Sequence, residues 1–219
     1  MIDLICWDFG DTLVDERWMR APHPTYADWA DHYDEVIAAD PAWVQAWEEG
    51  RAGVVELVER LHRRTRLPAS DIDDHIAAAC RGVRWFPAAR GALDELRGEV
   101  LQACTTVNPD VFTTYVVPAL ELATLFDVVV TSWETGIMDK SAMARHARQQ
   151  LALGDDLATT LLVDNKAANV DEFRRAGGVA YLYRGDAAFA DDFHAGLRGL
   201  VAVAGASPST SSSISPSRP

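Results

Sequence analysis

The stretch MIDLICWDFGDTLV, residues 1–14, decides the fold of this chain. Its apolar run ends at Trp7 and is followed by Asp8 and then, two residues later, by Gly10. A short apolar run bounded by a turn is typical of a buried strand. Ligands of open α/β sheets bind outside the carboxyl ends of the strands, so a carboxylate at this point is well placed for a functional site. The stretch therefore predicts an α/β protein with Asp8 at its site.

Four later segments also have the pattern of buried strands, and polar residues follow three of them. The segments are 100–104, 125–132, 159–165 and 179–183. The polar residues are Thr105 and Thr106 after the first, Lys140 after the second, and Asp164 in the third. We expect these side chains to meet Asp8 at one edge of a parallel sheet.

Residues 15–84 separate the first two predicted strands and are far too many for a strand–helix connection. Apolar residues at three-and-four spacing predict helices over 26–39, 41–64 and 70–83. Asp40-Pro41 and Ser70 with Asp73 are N-terminal signals for the last two. We expect a small all-helical domain at 15–84, inserted into an α/β core of 1–14 and 85–204. Its tryptophans are predicted to pack its interior and hinge, and the alternative is that one or two of them line an apolar substrate pocket.

The order of these residues resembles the haloacid dehalogenase (HAD) superfamily. The first HAD motif is a hydrophobic strand followed by D-x-D-x-T-L, which is matched here by Asp8, Thr12 and Leu13. Thr106, Lys140 and Asp164 resemble the second, third and fourth motifs, and the resemblance covers residues 1 to about 184. It implies a Rossmann-like parallel sheet flanked by helices, with 15–84 as a helical (C1-type) cap domain.

The resemblance also implies a hydrolase with a defined division of labour. Asp8 would be the nucleophile that forms an aspartyl phosphate. Lys140 would offset negative charge between the nucleophile and a phosphate. Thr106 would hold a phosphate oxygen, with Thr12 beside it and Thr105 as the alternative if the register slips by one residue. Mg²⁺, a hard cation, would bind oxygen atoms of Asp8, Gly10 (backbone carbonyl), Asp164 and Asn165.

The first motif departs from the family at its second acidic position. That residue normally acts as general acid and base, and here it is Gly10, with an acid one place later at Asp11. We therefore expect either leaving groups that need little protonation or a substitute acid, for which Asp11 is the candidate. Asn165 and Asn169 stand where acids are commoner, and an amide brings no charge, so Mg²⁺ should bind more weakly.

Three functions remain open on these residues. The first is a Mg²⁺-dependent phosphatase of a small phosphorylated metabolite, which explains Asp8, Thr106, Lys140 and Asp164 together. The second is a 2-haloacid dehalogenase, whose chemistry needs neither metal nor leaving-group acid and so tolerates Gly10. The third is a catalytically impaired HAD-fold protein that binds a ligand or partner. The first is favoured, because position 169, where a dehalogenase would carry the acid that activates water, is an asparagine.

The composition limits the binding partners and the cellular compartment that we expect for this protein. The formal net charge of −13 argues against nucleic acid or an anionic membrane as a partner. Three scattered cysteines are typical of a reduced, cytoplasmic protein, and no segment reads as a signal peptide or membrane span. We expect a monomer or homodimer acting on a small molecule. The Ser- and Pro-rich residues 205–219 predict a disordered tail.

Overall fold

A five-stranded parallel sheet in the order β3-β2-β1-β4-β5 forms the centre of the computed structural model, which describes residues 1–201. The tail predicted at 205–219 lies outside the described residues. The predicted α/β fold with a Rossmann-like parallel sheet is confirmed. The strands are β1 Leu4–Trp7, β2 Leu101–Thr106, β3 Val128–Thr131, β4 Thr160–Asp164 and β5 Val179–Leu182.

Helices cover both faces of the sheet and fill the long connection after β1. Between β1 and β2 lie a 3-10 turn at Glu16–Arg20 and α1 Trp29–Ala39, α2 Pro41–Glu48, α3 Val54–Thr65, α4 Ala69–Arg81 and α5 Pro87–Glu95. After β2 come a π turn at Phe112–Val116, α6 Val117–Ala119 and α7 Leu122–Leu125. After β3 come α8 Ser132–Thr135, α9 Lys140–Gln150 and a 3-10 turn at Leu157–Thr159. After β4 and β5 come α10 Ala167–Arg175, α11 Asp186–Asp192, a π turn at Phe193–Leu197 and α12 Arg198–Leu200.

Alternation along the buried strand β1 divides the core into two layers. Ile5 and Trp7 belong to the cluster shared with α5, α11 and the helices after β1, whereas Leu4 and Cys6 belong to the cluster shared with α9 and α10. Both layers are needed because a parallel sheet is apolar on both faces. β1 pairs with β2 on one side and β4 on the other. This arrangement brings Asp8, Thr106 and Asp164 to one edge.

Among the predicted boundaries that differ from the structure, three have a local reason. The predicted helix 41–64 is two helices, because Gly50 adopts a left-handed φ of +74° that ends the first. The predicted Ser70 cap is absent: α4 begins at Ala69, and the Ser70 hydroxyl donates to Asp71 instead. β3 begins at Val128 because 122–125 forms a helical turn.

The two ends of the helical segment lie side by side. Val14 and Trp85 form an isolated antiparallel bridge, and Phe86 N donates to Leu13 O at 2.8 Å. The sequence predicts that the helical segment leaves the core after residue 14 and rejoins it at residue 85, and the division into a core and an inserted domain stays a prediction.

Tryptophans pack the interior of the helical segment and tie it to the core. Trp43 and Trp47 stack with ring centroids 5.2 Å apart, and both are buried. The indole N–H of Trp47 donates to Asp110 Oδ1 at 2.7 Å, and Val54 N donates to Asp110 Oδ2 at 2.9 Å. One carboxylate after β2 therefore holds both sides of the α2–α3 connection.

We predict that Gly50→Ala destabilises the protein more than Gly98→Ala. Both glycines have left-handed φ, +74° and +77°, so both alanines cost about 1 kcal/mol. Only at Gly50 would the new Cβ meet the core, 2.1 Å from the carbonyl oxygen of Trp133, which adds about 1–3 kcal/mol of overpacking. Urea denaturation measures both. Equal midpoints would contradict this contact.

We also predict a pH-dependent contribution from His75. Burial lowers the pKa of His75 below its ordinary 6.5, and the ring of His23, 4.6 Å away between centroids, lowers it further. The unfolded chain therefore binds this proton at higher pH than the folded protein does. The contribution to stability is complete above pH about 6.5 and is lost as the pH falls toward the folded-state pKa.

The variant His75→Gln tests this, because Gln can still donate to Ala21 O, the present partner of His75 Nε2 at 3.0 Å. Its unfolding free energy should fall less steeply between pH about 7 and 5 than that of the wild type. Parallel curves would show that His75 protonates equally in both states.

Candidate active site

A buried ion pair stands at the carboxyl edge of the sheet. Asp8 follows β1 directly, and Lys140 is the first residue of α9; their exposed fractions are 7% and 5%. Lys140 Nζ donates to Asp8 Oδ1 and to the carbonyl oxygen of Thr105, each at 2.6 Å. The lysine thus joins the ends of β1 and β2.

Asp164, at the end of β4, completes a charged triad below the pair. It is fully buried, and its Oδ2 lies 3.7 Å from Lys140 Nζ. Lys166 N donates to its Oδ1 at 2.7 Å and Asn169 Nδ2 to its Oδ2 at 2.9 Å. These bonds fix the carboxylate in one orientation.

The triad shifts the pKa values of its members. Burial raises the pKa of Asp164, and the negative charge of Asp8 raises it further. Burial acts to lower the pKa of Lys140, but attraction to Asp8 and Asp164 outweighs it and the pKa is raised. Lys140 therefore stays charged at neutral pH.

A cavity of about 260 Å³ opens above Asp8 and Lys140. It is lined by charged and polar side chains from both the core and the helical segment. These are Asp8, Gly10, Glu16, Glu48, Thr106, Val107, Asn108, Met138, Lys140, Lys166 and Asn169.

A second cavity, of about 170 Å³, adjoins the first and is more apolar. The two share the wall residues Glu16, Glu48, Val107 and Asn108. The remaining wall is largely aromatic and aliphatic: Trp18, Met19, Arg20, Tyr33, Ile37, Val44, Trp47, Pro109 and Val111. Two of the tryptophans expected to pack the helical segment, Trp18 and Trp47, thus also face this space.

Four of the predicted site residues line the first cavity: Asp8, Gly10, Thr106 and Lys140. Of the two threonines that the sequence left as alternatives, Thr106 lines the cavity and Thr105 does not. Asn108 also lines the cavity, and its Nδ2 donates to Thr106 Oγ1 at 2.6 Å.

Thr12 and Thr105 do not line this cavity. Thr12 is fully buried, and its hydroxyl lies 3.5 Å from Asp8 Oδ2, so it supports Asp8 from behind. The Thr105 hydroxyl is buried without a partner among the described residues, while the Thr105 carbonyl holds Lys140. The structure therefore does not place these two hydroxyls where a phosphate would contact them.

Asp11 does not line the cavity either. It is exposed, has a left-handed φ of 53°, and accepts a hydrogen bond from Glu16 N on its Oδ1 at 3.0 Å. Its carboxylate is used to hold the start of the 3-10 turn. The expectation that Asp11 replaces the missing acid is therefore not supported by its position.

The donors expected for Mg²⁺ are consistent with that ion in their chemistry. Within residues 1–201 no three His, Cys, Asp or Glu side chains converge on a metal-sized space. Asp8 and Asp164 nevertheless supply two carboxylates and Gly10 a backbone carbonyl. Asn165 Oδ1 is buried without a hydrogen-bond partner in this part of the chain. A buried amide oxygen without a hydrogen-bond partner is an oxygen donor of the kind that a hard cation prefers. Asp164 and Asn165 are not among the residues that line the cavity.

Sequence reasoning missed three charged residues of the cavity wall: Glu16, Glu48 and Lys166. Partial burial raises the pKa of Glu16 and of Glu48, and Lys166 opposes the shift in both. Glu16 is six residues from Gly10, and this short spacing was the one available signal. Glu48 reaches the cavity only because α2 folds back over the sheet.

Solved structures share this architecture. A HAD family enzyme from Bacteroides thetaiotaomicron, crystallised with magnesium and inorganic phosphate, superposes with a TM-score of 0.61 at 14% identity, over 84% of this chain and 96% of that one. A predicted HAD-like family hydrolase from Porphyromonas gingivalis gives a TM-score of 0.58 at 18% identity, over 83% of this chain and 91% of that one. The chain has the HAD-like fold.

L-2-haloacid dehalogenase from Xanthobacter autotrophicus, with chloropropionic acid covalently bound, shares the HAD-like fold as well. Its TM-score is 0.62 at 18% identity, over 90% of this chain and 84% of that one. No protein-family model and no curated protein matches the sequence.

In the part of the chain that the structure describes, none of the helices has the length and apolar character needed to cross a membrane.

We predict that Lys140→Met destabilises the protein by about 3–5 kcal/mol, because it leaves Asp8 and Asp164 buried without their cation. Lys166→Met removes an exposed lysine from the same cavity and should cost less than about 0.5 kcal/mol. Denaturant titration at neutral pH compares the two. Adding Asp8→Asn to Lys140→Met should recover part of the loss. A double variant no more stable than Lys140→Met would contradict the charge-based explanation.

Proposed function

We propose that this protein is a hydrolase of small phosphate esters that acts through Asp8 and depends on Mg²⁺. The observation that carries the proposal is the Asp8–Lys140 pair at the floor of a polar cavity. A carboxylate needs no base to become a nucleophile at neutral pH. It must approach an anionic phosphate, and the buried ammonium of Lys140 offsets that repulsion.

The chain supplies further groups for a phosphoryl oxygen. Asn108 Nδ2 donates to Thr106 Oγ1, so the hydrogen of the Thr106 hydroxyl remains free to be donated into the cavity. Lys166 adds a second cation at the cavity wall. Asp8, Thr106 and Lys140 are therefore proposed as the residues that contact the reacting phosphate.

Mg²⁺ would be held by Asp8, the Gly10 carbonyl, Asp164 and Asn165, and when bound it would neutralise charge on the phosphate oxygens. The fixed orientation of Asp164, set by Lys166 N and Asn169, prepares that carboxylate for such a role. We expect weak binding, because only two of these groups are charged.

Residues 15–84 act in this proposal as a cap. They supply Glu16 and Glu48 to the polar cavity and most of the wall of the apolar one. A substrate with its phosphate at Asp8 would extend its organic part along Trp18 and Trp47. That part of the wall is aromatic and aliphatic, and Glu16, Arg20 and Glu48 add charged groups to the same cavity.

A second candidate, 2-haloacid dehalogenation, is favoured by one observation. Gly10 provides no acid side chain, and expelling a halide requires none. The attacking group would again be Asp8. The buried Asp164 beside Lys140 has no evident task in that reaction, which is why the phosphatase is preferred.

The test is release of phosphate from a panel of small phosphate esters, with Mg²⁺ or with a chelator present. We expect Mg²⁺-dependent release that falls at least about 1000-fold in Asp8→Asn, because the amide is not a nucleophile. Asp155→Asn, a change on the exposed surface before β4, is the control and should leave release unchanged.

Two other outcomes would redirect the assignment. Halide release from 2-chloropropionate that depends on Asp8, without phosphate release, would establish the dehalogenase. Release of neither product would contradict both reactions and favour a binding protein.

A further inference from the structure

The space that a side chain at position 10 would occupy is filled by Glu16. A Cβ built on Gly10 would lie 3.2 Å from Cγ and Cδ of Glu16 and 3.3 Å from its Oε2. Gly10 is not among the glycines with left-handed φ, so its backbone does not require glycine. The absence of a side chain at Gly10 instead leaves room for the Glu16 carboxylate.

The local backbone structure positions Glu16 beside Gly10. It is the first residue of the 3-10 turn Glu16–Arg20, which Asp15 caps by accepting from Arg17 N. Asp11 Oδ1 accepts from Glu16 N at 3.0 Å and so ties the turn to the loop that carries Gly10. The position of Glu16 is thus set by two carboxylates of the same loop.

The Glu16 carboxylate itself is uncommitted. Among residues 1–201 it forms neither a hydrogen bond nor an ion pair with another side chain, although it lines both cavities. A carboxylate that faces a cavity beside the nucleophile and has no structural partner is available to a substrate.

We propose that Glu16 is the general acid and base of this site, replacing the acidic residue that Gly10 lacks. The inference rests on the proposed hydrolysis through Asp8. In the first step an oxygen of Asp8 bonds to phosphorus, the bond from phosphorus to the ester oxygen breaks, and that oxygen takes the proton of Glu16. In the second step Glu16 takes a proton from water, whose oxygen bonds to phosphorus. The bond to Asp8 breaks, and phosphate is released.

Two other carboxylates near the cavity fit this role less well. Asp11 lies outside the cavity, and its Oδ1 is used by Glu16 N. Glu48 lines both cavities, but it comes from α2, and the three atoms nearest to a Cβ at Gly10 all belong to Glu16. Glu16 therefore combines access to the cavity with contact at position 10.

The first test compares leaving groups in Glu16→Gln, which preserves size and removes the proton. With an alkyl phosphate that the wild type hydrolyses, turnover should fall about 100- to 10,000-fold, because the alcohol cannot leave without a proton. With p-nitrophenyl phosphate the first step needs no acid. The variant should then release about one equivalent of nitrophenolate per enzyme and stall, and intact mass should show the phosphate bound to the protein.

The second test restores the acid from the strand end. Glu16→Ala should be as inactive as Glu16→Gln toward the alkyl phosphate. Adding Gly10→Asp to Glu16→Ala places a carboxylate in the vacated space and should recover turnover at least about tenfold. In the wild-type background Gly10→Asp should lower turnover, because the new Cβ would crowd Glu16.

The outcomes separate this inference from the function it rests on. If the wild type shows no phosphate release that depends on Asp8, both the proposed hydrolysis and the role of Glu16 are overturned. Release that depends on Asp8, with Glu16→Gln turning over the alkyl phosphate at the wild-type rate, overturns the role of Glu16 alone. A stalled burst in Glu48→Gln but not in Glu16→Gln assigns the role to Glu48 and likewise overturns it.

Discussion

The buried pair of Asp8 and Lys140 is the constraint on which the rest of the site depends. Removing an ammonium from water costs several kcal/mol, and close carboxylates together with further hydrogen bonds offset that cost. For Lys140 this cost is offset by three groups near Nζ: Asp8 Oδ1 at 2.6 Å, Asp164 Oδ2 at 3.7 Å and the Thr105 carbonyl oxygen at 2.6 Å. These partners lie at the ends of three neighbouring strands. The order in which the strands pair therefore also places the groups that balance the charge of Lys140.

In the proposed reaction, the two tasks that the resemblance places on one strand end are divided between two elements. Asp8 directly follows β1 and is held by Lys140, whereas the Glu16 carboxylate comes from the 3-10 turn that follows. A carboxylate on a turn tied by Asp11 can be positioned without altering the strand. The fold thus leaves room for chemical variation at fixed geometry, which is why fold alone does not determine activity.

The helical segment shapes the space above the pair. Asp110 accepts from Trp47 Nε1 and Val54 N, and Gly50 lies against the Trp133 carbonyl, so the α2–α3 connection is seated on the core. This seating brings Glu48 over the polar cavity and Trp47 over the apolar one. Buried indoles with satisfied N–H groups make the contact rigid as well as apolar.

The sequence by itself determined the parallel sheet and the strand ends that carry Asp8 and Asp164, because strand periodicity and strand ends are local features of the chain. It left open whether Thr105 or Thr106 faces the cavity. It could not place Glu48, which is forty residues from Asp8. Nor could it reveal that Asp11 accepts a hydrogen bond from Glu16 N and lies outside the cavity. It also could not show that Thr12 stands behind Asp8. Those outcomes depend on how α2 and the 3-10 turn pack over the sheet edge, and only the tertiary structure decides such packing.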